Sequence, residues 1–228
     1  MIETFPATMP SVPSNPHGWL SRHTAAMLRE HLDANTRVVI EVGSWLGKST
    51  RFILDRAPNA TLYCVDTWLG SAEHHKASIE PMLATLFETF VVNCWACRDH
   101  IRIVRGISRL GLAELHQAGV APDLIYVDGA HDSPTVAGDM NQCLDLFPRA
   151  VLVGDDWRWH SVRTAVEGVA ANRGIVLKNN TDAWCIEGRH LPYDCAGRDP
   201  SETLSGMGSG QTDTAATQAG LAAGPFGG

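Results

Sequence analysis

A chain of 228 residues with 44% hydrophobic content can bury a full core, and its length suits one catalytic domain better than two. Its 18 Lys and Arg face 25 Asp and Glu, a formal charge of -7 without any basic run, so no nucleic-acid partner is expected. The start MIETFPATMPSVPSNPHGW lacks the basic opening and apolar run of a secretory signal, and no later stretch reaches the ~20 apolar residues of a membrane span. A cytoplasmic protein without membrane contact is the expectation.

Residues 1–16 carry Pro6, Pro10, Pro13 and Pro16, a spacing that keeps the backbone extended and stops a helix from starting. They read as an arm outside the core. From Ser21, the apolar Ala25, Leu28 and Leu32 alternate with Arg22, Arg29 and Glu30 in a pattern that predicts an amphipathic helix beside the first strand.

Five short apolar runs follow: RVVIEV (37–42), TLYCVD (61–66), IRIVRG (101–106), DLIYVD (123–128) and AVLVGD (150–155). They are rich in Val, Ile and Leu, and helix-length segments fill every gap between them but the fourth, the signature of a parallel sheet buried on both faces. Asp or Glu stands at or near the C-terminal end of four of the runs, the edge where open α/β sheets bind ligands. A helix at about 160–172 then leads into GIVLKNNTDAWCIEG, two strands joined across Asn179, Asn180, Thr181 and Asp182. The expected fold is α/β, a Rossmann-like doubly wound sheet of seven strands, mostly parallel with a C-terminal antiparallel hairpin, carried by residues 17–196. Residues 197–228 are Gly, Ser, Thr and Ala with almost no aromatic residue, which predicts a disordered tail.

Six cysteines (Cys64, Cys94, Cys97, Cys143, Cys185 and Cys195) are too sparse for a disulfide scaffold in a chain this long. Cys94-Trp95-Ala96-Cys97 has the spacing of a redox or zinc half-motif, but it lies late in an apolar helical run and lacks a second ligand pair. Two buried core thiols are the better reading.

The stretch EVGSWLGKST (41–50) ends like a phosphate-binding loop, yet Gly43 and Gly47 enclose three residues where that loop has four. The dinucleotide fingerprint fails too, because Trp45 stands where a second Gly would let the backbone approach a pyrophosphate. What remains is a Gly43 to Gly47 turn after a strand, followed by Asp66 closing the next strand. Asp66 can accept both hydroxyls of a ribose, while the turn lets backbone meet an amino-acid portion of a ligand without phosphate. Lys48 reads as a solvated side chain in the first turn of a helix.

YVDGAHD (126–132) and VGDDW (153–157) end two neighbouring strands and set Asp128, Asp155 and Asp156 at one edge. Three crowded carboxylates repel one another unless a cation or protons intervene, and hard oxygen ligands suit Mg²⁺, Mn²⁺ or Ca²⁺. Helix caps are the alternative role for Asp155 and Asp156. TWLGSAEHHK (67–76) follows the ribose-type strand and offers Trp68, His74 and His75 to an acceptor pocket.

EVGSWLGKS resembles the first motif of metal-dependent catechol and caffeoyl-CoA O-methyltransferases, whereas VDTWLGS, FVVN and IRIVRGISRLGLAEL look more like the methyltransferases that include macrocin-type sugar enzymes. The chain thus resembles a class I S-adenosylmethionine-dependent methyltransferase over roughly residues 37–190. The resemblance implies that Glu41, Gly43, Ser44, Gly47 and Ser49 lie by the methionine end of the cofactor. It implies Asp66 and Thr67 at the ribose, Ile107 and Ser108 near the adenine, and Asp128 at both cofactor and metal. It also implies a divalent ion, Mg²⁺ or another, on Asp128, Asp155 and Asp156, with His131 as the candidate base where catechol-type enzymes carry a Lys. Ala130 stands where some sugar enzymes of this kind have a second Asp. The expected reaction is methyl transfer to a hydroxyl of a glycan or other small molecule. A catalytically silent cofactor-binding domain and a nucleotide-triphosphate-binding protein remain as alternatives, and a homo-oligomer is left open.

Overall fold

The computed structural model describes residues 1–71, 74 and 79–187. The tail expected at 197–228, Cys195 and His75 lie outside the described residues. The chain divides into Met1–Leu191 and Pro192–Gly228, and the second unit is wholly outside them.

Among the described residues eight strands form one sheet. In chain order they are β1 (Ile2–Thr4), β2 (Val38–Val42), β3 (Thr61–Asp66), β4 (Ile101–Arg105), β5 (Leu124–Val127), β6 (Val151–Gly154), β7 (Lys178–Asn179) and β8 (Trp184–Ile186). The sheet order is β1-β4-β3-β2-β5-β6-β8-β7. The five apolar runs make the parallel centre, β4-β3-β2-β5-β6, and the expected hairpin β7-β8 adds antiparallel to β6.

The eighth strand corrects the seven expected. Residues 2–4 precede the first proline, so their amide groups remain available, and they pair antiparallel with β4 in the register Ile2↔Val104 to Thr4↔Arg102. An arm predicted to be merely extended thus covers the open edge of β4.

The long helices are α1 (Arg22–His31), α2 (Lys48–Arg56), α4 (Leu86–Asn93), α5 (Ser108–Gln117), α6 (Ser133–Leu146) and α7 (His160–Arg173), with a single turn α3 (Glu80–Leu83) between α2 and α4. Ser21 caps α1, its side chain accepting from the amides of His23 and Thr24. Ala25, Leu28 and Leu32 are all buried. Helix α6 fills the fourth gap, which the apolar pattern left without one. Asp132 caps it by accepting from the Thr135 amide, Pro134 occupies its first turn, and Val136, Met140, Cys143 and Leu144 are its buried face. Gly138 and the polar Asn141 and Gln142 dilute that stripe in the sequence.

Alternation along the strands sends side chains to two cores. Ile40, Val42, Ile125 and Leu152 join α5, α6 and α7 in one, and Val39, Leu62, Leu124 and Val153 join α1, α2 and α4 in the other. Close packing fixes particular contacts. A Cβ on Gly154 would come 2.1 Å from the Trp184 ring, so β6 and β8 meet only because that residue is glycine. Cys94, at the end of α4, is a core thiol as expected, and its Sγ occupies the space that a Cβ on Gly47 would need. Cys97, in the 3-10 turn Trp95–His100, is only half-buried.

Candidate functional site

The chain runs outward through β2, β3 and β4 and then returns to lay β5 on the other side of β2, so the order reverses between β2 and β5. At such a switch point the loops leaving the two strands diverge and open a crevice at the C-terminal edge. Here those loops begin at Gly43 and Asp128. They touch: a Cβ on Gly43, whose φ is +90°, would sit 2.1 Å from the Asp128 carbonyl oxygen.

Two cavities meet at this crevice. One of about 220 Å³ is lined by Asp66, Thr67, Gly106, Ile107, Ser108 and Asp139 among others. The second, of about 350 Å³, is lined by Trp19, Trp45, Lys48, Ser49, Asp128, His131, Asp155, Asp156 and Trp159 among others. Gly43, Trp45, His74, Asp128 and Gly129 border both.

The loop between β2 and α2 is held from beneath and from the side. Glu41 is fully buried, and its Oε2 accepts from Ser44 Oγ at 2.7 Å and Thr50 Oγ1 at 2.5 Å. Burial pushes its carboxyl up, against the pull of the Ser49, Thr50 and Ser44 hydroxyls. Glu41 therefore shapes the loop from below and does not line either cavity, unlike the place expected for it. Gly47 does not line them either: it begins α2 in the left-handed region at φ +80° and faces Cys94. Ser44 and Ser49 do reach the larger cavity.

From the side, Asp66 Oδ2 accepts the amides of Ser44 at 2.8 Å and Trp45 at 2.9 Å, while Oδ1 accepts that of Trp68 at 2.7 Å. Burial raises its carboxyl, and these three amides oppose the rise. Both oxygens are thus anchored, and only their remaining lone pairs face the smaller cavity. Among the described residues the non-glycine residues with positive φ are Trp45, Trp68 and Asp156. All three lie in loops that leave the C-terminal ends of strands, where strain concentrates at working sites. Trp68 is 3% exposed and donates its indole N–H to the Trp45 carbonyl, so it braces the wall instead of forming it.

The acidic edge is built on a residue that the sequence pattern assigned to the core. Tyr126 is fully buried, and its hydroxyl lies 3.0 Å from both Asp128 Oδ2 and Asp155 Oδ2. One phenolic proton serves one carboxylate at a time. Burial, then the Asp155 and Asp156 charges, pushes the Asp128 carboxyl well above the usual range. Asp155 is also raised by burial, but its Oδ1 is engaged by Thr24 Oγ1 at 2.6 Å and by the Asp156 amide at 2.9 Å.

Ligand atoms of Asp128, His131 and Asp156 fall within 4.8 Å of one another, a grouping that could hold a cation. The expected set Asp128, Asp155 and Asp156 is thereby altered, because Asp155 is turned to α1 and Tyr126 while His131 comes in. His131 Nε2 is 2.6 Å from Asp156 Oδ2, and its ring stacks on Trp159 at 4.5 Å. Sequence reasoning missed Trp19, Tyr126, Asp139 and Trp159. Lys48, read as a solvated first-turn side chain, is exposed in the first turn of α2, and from there it borders the larger cavity and donates to the Gly18 carbonyl at 2.8 Å. Trp19 and Asp139 carried no signal, being brought to the cleft by segments outside the motifs, whereas Tyr126 lies inside YVDGAHD and Trp159 two residues past VGDDW, where the pattern does not say which way a side chain turns.

Among the described residues no helix is long and apolar enough to cross a membrane. Residues 40–157, just over half of the chain, match a family model described as a methyltransferase domain. No curated protein matches the sequence. The fold is similar to a solved candidate caffeoyl-CoA O-methyltransferase from Staphylococcus aureus, with a TM-score of 0.53, 13% identity, and coverage of 75% of this chain and 85% of that one. It is similar to the O-methyltransferase TomG from Streptomyces achromogenes, involved in tomaymycin synthesis and solved with S-adenosylmethionine, at TM-score 0.50, 17% identity, and 72% and 77% coverage. A precorrin 8w decarboxylase from Methanobacterium thermoautotrophicum matches at TM-score 0.51, 14% identity, and 76% and 94% coverage. The switch-point crevice, the methyltransferase-domain match across it and the shared fold have one conclusion: the chain belongs to the class I S-adenosylmethionine-dependent methyltransferase family.

Proposed function

We propose that this protein transfers a methyl group from S-adenosylmethionine to a hydroxyl of a small-molecule acceptor, a sugar or another hydroxylated ring, with a divalent cation at the acidic edge. The observation that carries the reading is the convergence of Asp128, His131 and Asp156 within 4.8 Å on the larger cavity, where Asp128 also borders the smaller one. We take residues 17–196 as the catalytic domain, with 1–16 as its arm and 197–228 as a tail.

The residues fit both groups. The smaller cavity has a carboxylate at Asp66 for a ribose and room bordered by Ile107 and Ser108 for a base. Asp128 and Asp156 are hard oxygen donors for Mg²⁺ or Mn²⁺, with Asp155 close behind and the His131 imidazole beside them for the proton. When bound, the cofactor would supply an activated methyl on sulfur and the cation would lower the pKa of the acceptor hydroxyl.

The chain's own part is alignment and proton handling. Asp66, fixed by three amides, holds the ribose edge, and the Gly43 turn lets backbone approach the methionine end. Trp19, Trp45 and Trp159 wall the acceptor side and exclude water. In the tautomer with Nε2–H toward Asp156, His131 keeps Nδ1 as the basic nitrogen, and Asp156 stabilises the imidazolium formed when a proton arrives.

Incubation with cofactor, Mg²⁺ and a panel of glycans and phenols, read by product mass, tests this. A mass gain of one methyl that chelator abolishes and Mg²⁺ or Mn²⁺ restores is expected. Full turnover in excess chelator would remove the cation from the reading.

A further inference from the structure

Methyl transfer makes no use of Cys94 and Cys97, two residues that the fold brings together behind the Gly43 to Gly47 turn. The Cys97 amide donates to the Cys94 carbonyl at 3.0 Å, closing a tight turn where α4 meets the 3-10 segment. Residues three apart in such a turn share one face at about 6 Å, inside the Cα span that a disulfide bridges. The thiols differ in access and in acidity. Cys94 is fully buried and Cys97 half-buried. A hydrogen bond from the Cys94 thiol holds Cys97 below the ordinary thiol range, with the Arg51 charge acting in the same sense, while burial pushes Cys94 up. A reachable sulfur that ionises thus lies beside an enclosed one, the pattern of an attacking and a resolving cysteine.

Cys94 also touches the crevice machinery from behind. Its Sγ fills the hollow over Gly47, 3.9 Å from the Gly47 carbonyl. Next to it, Asn93 Nδ2 donates to the Leu46 carbonyl at 2.7 Å, and Arg51 donates to the Gly47 carbonyl at 3.1 Å and to that of Asn93 at 3.4 Å. The end of α4 is therefore tied to the turn whose Gly43 and Trp45 border both cavities.

We propose that Cys94 and Cys97 are an oxidation site for hydrogen peroxide, and that their closure to a disulfide shifts the Gly43 to Gly47 turn and weakens cofactor binding. The effect on the cofactor rests on the reading above. The Cys97 thiolate attacks one peroxide oxygen and becomes a sulfenic acid, while the O–O bond breaks and the other oxygen leaves as hydroxide, taking up the proton that the thiol released. Cys94 then attacks the sulfenic sulfur, its thiol proton and the sulfenic hydroxyl depart as a second water, and the S–S bond forms. Both sulfurs are oxidised and the peroxide is reduced to two waters. A dithiol reductant reverses the step. The new bond draws the Cys94 sulfur to about 2.0 Å from its partner. Its contact with Gly47 is then lost, and a close-packed turn responds by moving.

Hydrogen peroxide added to the intact, reduced chain, followed by tryptic digestion and mass spectrometry, tests the chemistry. The fragment 77–98 holds these two cysteines and no other, so it should lose two hydrogens and regain them in dithiothreitol. Calorimetry should then show S-adenosylhomocysteine bound about 5- to 150-fold more weakly by the oxidised protein than by the reduced one, the range of an ordinary coupling between sites. In Cys94→Ala, which keeps the attacking sulfur alone, dimedone should trap a sulfenic acid on Cys97. In Cys97→Ser, peroxide should leave Cys94 unmodified and the affinity as it was before treatment. Sulfinic or sulfonic acid in place of the disulfide, modification of Cys94 in Cys97→Ser, or a disulfide that leaves the wild-type affinity unchanged overturns the inference. Should neither the reduced nor the oxidised protein bind S-adenosylhomocysteine, the cofactor reading fails, and the loss or retention of two hydrogens still decides the thiol pair.

Discussion

Replacing Asp128 with Asn should strengthen the chelated protein while removing its response to metal. Asp128 and Asp156 can bring oxygens within 4.8 Å of each other, and Tyr126 bridges Asp128 to Asp155 with a single proton. Two unit charges at 4.8 Å repel by roughly 3 kcal/mol at the effective dielectric of about 20 that suits such sites. Partial exposure of Asp156 reduces this, so a gain of about 1–3 kcal/mol is expected in Asp128→Asn at about pH 8. The sign follows from the direction of the shift. A carboxyl whose folded pKa is raised favours folding below its unfolded value near 3.9, and that contribution is lost as pH rises through the folded value. Parent and variant should therefore converge in acid and separate in alkali. Urea unfolding in chelator at about pH 4.5 and about pH 8 measures the gap, and repetition with Mg²⁺ at about 100 times its dissociation constant should stabilise the parent by about 2.7 kcal/mol and the variant far less. A variant weaker than the parent at the alkaline pH and still rescued by Mg²⁺ would refute both the repulsion and the metal assignment.

Asp66→Ala strips three backbone amides of their acceptor and a ribose of its anchor, and calorimetry should show affinity for S-adenosylhomocysteine falling about 10- to 150-fold. Unchanged affinity in a folded variant removes Asp66 from the site. His131→Ala should slow methyl transfer by ~10²–10⁴ and flatten the rise of rate between about pH 6 and pH 8, as a pH-rate profile would reveal. Wild-type rates in that variant would assign proton removal to water. Gly154→Ala drives a methyl into the Trp184 ring, and a loss of about 1–3 kcal/mol in thermal unfolding is expected, whereas an unchanged Tm would mean that β6 and β8 have slack between them.

The sheet was legible because its five central strands are runs rich in Val, Ile and Leu, four of them with acidic ends, and burial on both faces favours that composition. Strand β1 was not, since Ile2–Thr4 is short and gains its identity only from the partner edge of β4. Helix α6 escaped because Asp139 and Gly138 interrupt its apolar face, and Asp139 is there for Ser108, not for the core. At the site, adjacency in sequence predicted which loops reach the crevice but not which way each side chain turns. Asp155 and Asp156 are neighbours in the chain, yet one turns toward Thr24 and the other toward His131. Glu41 alternates with Val42 along β2, and that alternation sends it under α2, away from the ligand face.

Strand β1 has a consequence for how the protein stays dispersed. Among the described residues its three residues cover the row of peptide groups on Ile101–Arg105, and at the opposite end β7 presents two residues. Both borders of the sheet are thus too short to template another chain. The guard on the β4 side, however, is a short strand with one half-buried residue and two exposed ones, so it can open at a small fraction of the cost of global unfolding. Self-association of this protein should therefore begin with an opening that leaves the crevice, and its chemistry, untouched.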